Sequence, residues 1–260
     1  MQKPPLLFDH SAPINALVVG ATGGIGLALS RLLAQHPQVT QLFIAARHAT
    51  TDKALAALAD ANANRITALD CDICAQHSLA GLAAAIARRV SALHLTINAS
   101  GALHGNGLQP EKALAQVTLD SLQASFAINA FAPLLLAKAL MPLLRHSQPT
   151  VFACLSARVG SIGDNRLGGW YSYRAAKAAQ NQLLKTLAIE LTRLNRQSIV
   201  LALHPGTTDT VLSKPFQGNV PPSKLFSPTF SAEALLQVIG QRKPADSGGF
   251  YAWDGSTIAW

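Results

Sequence analysis

Residues 18–26 read Val-Val-Gly-Ala-Thr-Gly-Gly-Ile-Gly and join an apolar β-branched run to a helical pattern. Glycine at 20, 24 and 26 permits a tight turn, lets the backbone approach a pyrophosphate, and lets a helix pack closely on a strand. The amides that open the helix then face negative charge. In isolation such a string also fits a plain tight turn. Its place between strand and helix favours a dinucleotide site, to which Gly20, Thr22, Gly23, Gly24, Ile25 and Gly26 would contribute.

The same alternation runs through the chain. Strands are expected at Ala16–Val19, Leu42–Ala45, Ile66–Leu69, Leu93–Asn98, Val151–Leu155, Ile199–Leu203 and Phe250–Trp253. Between them lie Ala- and Leu-rich helical patterns at Ile25–Gln35, Asp52–Asn62, Ser78–Val90, Leu119–Arg145, Tyr173–Leu194 and Ala232–Gln241. Near-continuous hydrophobicity predicts strands covered on both faces, as in parallel sheets. Strict alternation predicts an α/β fold: one Rossmann-type domain over 1–260, its doubly wound, mostly parallel sheet of seven strands flanked by helices on both faces. The irregular stretch from Gly206 to Ser231 contains four prolines, and within it 207–230 is expected to form a mobile substrate-binding loop.

Apolar residues make 49% of the chain and charged residues 13%, which allows a large core and excludes general disorder. No uninterrupted apolar stretch approaches the roughly 18 residues of a membrane span; Phe131–Leu144 is broken by Lys138 and two prolines. Near the N-terminus, Pro4, Pro5, Asp9 and His10 interrupt any signal-peptide core after Lys3. Three cysteines make no disulfide framework, so a cytoplasmic protein without a membrane partner is expected. The net charge of +8 raises the question of nucleic acid, yet the basic residues are scattered and no aromatic residues interleave with them. No nucleic-acid partner is expected. Cys71-Asp72-Ile73-Cys74 with His77 mimics a metal or redox motif, but no second Cys-x-x-Cys completes a zinc site. Strand-end packing is the better reading, and no metal is assigned.

After the second strand the sequence reads Ala45-Ala46-Arg47-His48, with no acid before Asp52. A carboxylate there would accept from a ribose 2′-hydroxyl, whereas arginine pairs with a 2′-phosphate. Arg47 also fits an ordinary surface charge; in this context NADP(H) is favoured over NAD(H). Farther on, Tyr173 and Lys177 stand four apart at the start of a long helical pattern and share one face. An ammonium near a phenol favours phenolate and would bring the proton into a useful range. A core tyrosine beside a surface lysine is the default reading of such a pair, and the upstream glycine turn argues against it.

With these motifs together, the chain resembles the short-chain dehydrogenase/reductase family over essentially its full length. The resemblance rests on Gly20-x-x-x-Gly24-x-Gly26, Asp72-Ile73, Asn98-Ala99-Ser100-Gly101, Asn129, Tyr173-x-x-x-Lys177 and Pro205-Gly206-Thr207 with Thr210. The stretches from Ser156 to Arg174 and from Gly248 to Gly255 are similar to the subgroup of the C-factor signalling protein and sniffer-type carbonyl reductases. The resemblance implies hydride transfer between nicotinamide and a carbonyl or secondary alcohol, with a small-molecule substrate and a homodimer or homotetramer. It implies that Asp72 and Ile73 border the adenine. Asn98, Ala99, Ser100, Gly101, Pro205, Gly206, Thr207 and Thr210 would touch the cofactor, as would Tyr173 and Lys177. It assigns proton donation to Tyr173, its activation to Lys177, and a relay water to Asn129. The alternative is a C-factor-like signalling or nucleotide-sensing protein with little turnover.

Two departures stand out. The family's Asn-Asn-Ala-Gly reads Asn98-Ala99-Ser100-Gly101 here. The carbonyl-binding serine is displaced: Ser156-Ala157 replaces a serine pair, and Ser156 lies seventeen residues before Tyr173. Ser156 is expected to fix the carbonyl, with Ser161 as the other candidate.

Overall fold

In the computed structural model, residues 12–105 and 107–260 are described. The residues behind the signal-peptide reading, from Lys3 to His10, lie outside them. Strand β1 (Ile14–Val19) alternates its side chains between two cores. Ile14, Ala16 and Val18 join one, together with Leu29, Leu33, Leu235 and Val238. Leu17 and Val19 join the other, with Leu79, Leu136, Leu184 and Leu191. A strand buried on both faces favours apolar side chains at successive positions, which is why Ala16–Val19 reads as an unbroken run.

The remaining elements follow in order: α1 (Gly24–Gln35), β2 (Val39–Ala46), α2 (Lys53–Asp60), β3 (Ile66–Asp70), α3 (Gln76–Ala87), β4 (Leu95–Asn98), α4 (Leu119–Phe126), α5 (Ala132–Leu144), β5 (Thr150–Leu155), α6 (Tyr171–Leu194), β6 (Ser198–His204), β7 (Thr207–Thr208), β8 (Leu225–Phe226), α7 (Pro228–Gly240) and β9 (Gly249–Ala252). Seven strands form one sheet in the order β3-β2-β1-β4-β5-β6-β9, and each neighbouring pair is parallel. Helices α1 and α7 cover one face; α3, α5 and α6 cover the other. Phe43, Phe152 and Phe250 are fully buried between sheet and helices. Truncating any one to alanine should cost about 3–5 kcal/mol.

Strand order reverses direction between β1 and β4, and this switch point opens a crevice at the carboxyl ends of the strands. The loops leaving β1 and β4 meet there. A β-carbon on Gly20, whose φ is +80°, would fall 2.7 Å from Ser100 N.

Three expectations are corrected. The helix expected over Leu119–Arg145 is two α-helices joined by a π-helical turn at Ala127–Phe131. Because that turn carries the helix through, Leu119–Leu144 is a 26-residue run long and apolar enough by composition to cross a membrane, which the interrupted sequence did not suggest. Half of its most apolar window is buried in the protein, with Leu136, Leu140 and Leu144 in the core. The segment after Gly206 is not structureless: β7 and β8 pair in parallel, and short 3-10 turns occupy Lys214–Asn219 and Pro222–Lys224. Its last residues belong to α7, since Ser227 accepts from Phe230 N and Pro228 takes the first helical position.

Candidate active site

The chain enters α6 through three consecutive left-handed residues, Gly168, Gly169 and Trp170, with φ of +64°, +65° and +52°. A bulky residue in that region must be held there by its surroundings. Trp170 N donates to Glu111 O, and its ring lies edge-on to Tyr173, 6.4 Å between centroids. Tyr173 is therefore in the first turn of the helix, and Lys177 one turn beyond it.

Both are buried, at 8% and 3% exposure. Lys177 Nζ stands 5.8 Å from the Tyr173 ring centroid and donates to Leu155 O at 2.9 Å and Gln180 Oε1 at 2.8 Å. The expected lowering of the phenol by the ammonium is opposed by burial. Burial pushes the Tyr173 hydroxyl well above its ordinary value. Burial also pulls Lys177 down to about 8, against a weaker opposing pull from Cys154. Lys177 spends its protons on neutral acceptors, and desolvation dominates both groups. At neutral pH Tyr173 is a protonated phenol, suited to giving a proton.

Asn129 sits in the π-helical turn, fully buried. Its side chain clasps the backbone of Ala102: Nδ2 donates to Ala102 O at 2.8 Å, and Oδ1 accepts from Ala102 N at 3.1 Å. Gly101 lies between Asn129 and Lys177. The point where its β-carbon would sit is 3.1 Å from Asn129 Oδ1 and 3.6 Å from Lys177 Nζ. A side chain at Gly101 would crowd both groups.

The serines are placed differently from the expectation that Ser156 faces the carbonyl. Ser156 is 4% exposed, and its hydroxyl donates to Asn181 Oδ1 at 2.7 Å, two helical turns past Tyr173. Ser161 is equally buried and accepts from Asp164 N. Among the described residues, neither hydroxyl bonds to Tyr173. Gly160 between them is pressed onto α6, where a β-carbon would lie 2.8 Å from Lys177 Cβ.

The glycine turn meets the test of a phosphate cradle. A β-carbon on Gly26 would fall 2.1 Å from Gly20 O, and one on Gly24 2.8 Å from Thr210 Cγ2. Gly23, the N-cap of α1, offers no side-chain cap and the first turn carries no acid, so its amides are open to an anion. Beside it, Thr22, Arg47, His48, Thr51 and Asp52 line a cleft of about 440 Å³. A cleft with an arginine there fits a 2′-phosphate. Ile73 is buried at the end of β3, while exposed Asp72 accepts from Cys74 N. Asn98 Oδ1 accepts from Ser100 N and Oγ, so Ser100 supports the loop after β4 locally. Pro205 and left-handed Gly206 lead into β7, where Thr207 pairs with Leu225. Burial pushes the Cys71 and Cys74 thiols up, which leaves neither as a reactive thiolate.

His104, which the sequence reading passed over, meets Phe216 of the expected 207–230 loop here. His104 Nε2 lies 3.1 Å from both Val211 O and Leu212 O, which ties the loop after β4 to the segment after β7. Phe216 stands edge-on to Trp170 at 5.0 Å and to His104 at 5.8 Å. These rings wall the approach to Tyr173.

The family model described as short chain dehydrogenase matches residues 15–220. A curated 1-hydroxy-2-glutathionyl-2-methyl-3-butene dehydrogenase of a Rhodococcus species is 35% identical over 54% of this chain, which spans 59% of that enzyme's length. The C-signal protein of Myxococcus xanthus is 31% identical over 57% of this chain and 84% of its own. Among solved structures, an NADPH-bound carbonyl reductase from chicken fatty liver superposes with a TM-score of 0.83 at 26% identity, covering 96% of this chain and all (100%) of that one. The carbonyl reductase Sniffer of D. melanogaster gives 0.84 at 27%, covering 95% and 100%.

Proposed function

The chain belongs to the short-chain dehydrogenase family of oxidoreductases, and we propose that it is an NADPH-dependent reductase of small-molecule carbonyls in the cytoplasm. The observation that carries this reading is the buried Tyr173–Lys177 pair, placed at the switch-point crevice opposite Gly101 and Asn129. The NADPH-bound state of the chicken carbonyl reductase and the Arg47 cleft support the choice of cofactor.

Bound nicotinamide supplies the hydride chemistry. The chain's own residues bind, orient and manage the proton. The turn from Gly20 to Gly26 and the first amides of α1 would hold the pyrophosphate, with Thr210 beside Gly24. Arg47 would pair with the 2′-phosphate, and Asp72 and Ile73 would border the adenine. Asn98 to Gly101 and Pro205 to Thr207 shape the floor of the crevice. Tyr173, kept protonated by burial, donates its hydroxyl proton to the oxygen of the substrate as negative charge develops there. Lys177, 5.8 Å from the Tyr173 ring centroid, stabilises the phenolate left behind, and a relay water beside Asn129 would return a proton. Ser156 can fix the carbonyl only if its hydroxyl leaves Asn181.

Steady-state NADPH oxidation over a panel of aldehydes, ketones and quinones tests the reading. Tyr173→Phe should bind NADPH normally and lose about 10²–10⁴-fold in turnover; full activity in that variant overturns the mechanism. A second reading, nucleotide sensing without turnover in the manner suggested by the C-signal likeness, is favoured by the buried, committed hydroxyl of Ser156. Tight NADPH binding with no turnover across the panel would select it.

A further inference from the structure

Glu111 is an acid that the mechanism does not use, and it is 3% exposed. Among the described residues no lysine or arginine pairs with it; the salt bridges are elsewhere, between Arg158 and Asp164 and between Lys214 and Asp209. An isolated buried carboxylate is costly, so its partners explain why it stays. Its Oε2 accepts from Ser172 N at 3.2 Å. Its Oε1 accepts from Ser172 Oγ and, at 3.1 Å, from Ser121 Oγ. Its main-chain oxygen accepts from Trp170 N at 2.5 Å.

We infer that Glu111 is the positioning residue of the proton donor, capping α6 from a distant loop and setting where Tyr173 stands. Helix α6 needs such a cap. Its own N-cap, Trp170, is left-handed and offers no side-chain acceptor, so the first amides have no local partner. Glu111 supplies that acceptor from 61 residues away and brings a negative charge to the positive end of a 24-residue helix. Burial raises the carboxyl, but the bonds from Ser172 and Ser121 outweigh it and hold Glu111 below its usual range, so it is charged. Through Ser121 the same carboxylate grips the start of α4, which continues into the π-helical turn that holds Asn129. One acid therefore registers the helix of Tyr173 and Lys177 against the helix of Asn129.

This inference rests on the reading of Tyr173 as the proton donor, and two readouts keep them separable. The first is kinetic. E111Q removes the charge while keeping the shape, and it should lower kcat by about ten- to a hundredfold, the scale of a small misplacement of a reacting group. KM and the dissociation constant for NADPH should stay within about twofold, because neither the glycine turn nor Arg47 touches Glu111. A merely structural role would lower Tm and leave kcat intact well below the transition. The second readout needs no substrate. In protein with labelled tyrosine rings, the Tyr173 NMR signal, identified by its loss in Tyr173→Phe, should shift or broaden in E111Q while Tyr251 stays unchanged. If E111Q does not fold, Ser172→Ala removes one donor, keeps the backbone bond, and should show both effects in weaker form. A moved Tyr173 signal in a protein whose wild type reduces no carbonyl overturns the functional reading alone. An unmoved signal with unchanged kcat overturns the role of Glu111.

Discussion

Lys177 Nζ and Asn129 Oδ1 converge on Gly101: the point where a side chain would begin there lies 3.6 Å from the first and 3.1 Å from the second. Gly101 is not in the left-handed region, so alanine meets no backbone strain there.

Gly101→Ala puts a methyl group 3.1 Å from Asn129 Oδ1 and 3.6 Å from Lys177 Nζ, where it would crowd out a relay water bridging them. Turnover should fall about tenfold or more as proton return becomes limiting, and the solvent deuterium isotope effect on kcat should rise. Unchanged kcat with an unchanged isotope effect would remove the water from the mechanism.

Arg47→Ala tests the cofactor assignment. A partly exposed arginine–phosphate contact contributes roughly 1.5–3 kcal/mol, or about ten- to a hundredfold in affinity. NADPH should weaken by that factor while NADH hardly changes. Equal affinity for the two cofactors in the parent protein would already contradict the assignment.

His204 predicts acid sensitivity. Its Nδ1 is sealed from solvent with no hydrogen-bond partner among the described residues, and burial first, then nearby Arg158, pulls its pKa to about 4, against a weaker pull from Asp254. Above the ordinary histidine value near 6.5 the ring is neutral in both folded and unfolded chains and adds no pH dependence. As pH falls from about 6.5 to about 4, only the unfolded chain takes up the proton, so stability drops, by about 2–3 kcal/mol after allowance for partial solvent access. Urea midpoints across that window should show the decline, and His204→Asn should flatten it.

Phe216→Ala opens the aromatic wall above Tyr173. Phe216 belongs to neither core cluster, so the transition temperature should move little, while KM or the order of substrate preference should change. A large loss of stability with unaltered kinetics would make the segment after β7 plain architecture.

The glycine turn and the Tyr173–Lys177 pair are legible in the sequence because their meaning lies in short spacings on one strand–turn–helix or one helix face. The seven strands are legible for a related reason: burial on both faces demands apolar runs, and β1 to β6 and β9 each carry one. What escapes such reading acts across the chain. Glu111 does its capping at a remove of 61 residues, and a lone glutamate after a proline carries no local mark of it. The π-helical turn at Asn129 breaks no hydrophobic pattern, so a single long helix was the natural expectation. Ser156 shows the converse limit: residue type and spacing admit it to the site, while strand geometry points its hydroxyl at Asn181.

The crowding of Gly26 against Gly20 O, within 2.1 Å of any added β-carbon, makes the turn indispensable to how α1 leaves the sheet. The turn that would present its amides to a pyrophosphate is the same turn that sets how α1 leaves the sheet. Descendants of this chain are therefore free to lose Tyr173 and its chemistry one substitution at a time, but not the cradle. Affinity for nucleotide would outlive catalysis, and a retired enzyme of this design would be left as a ready-made nucleotide sensor.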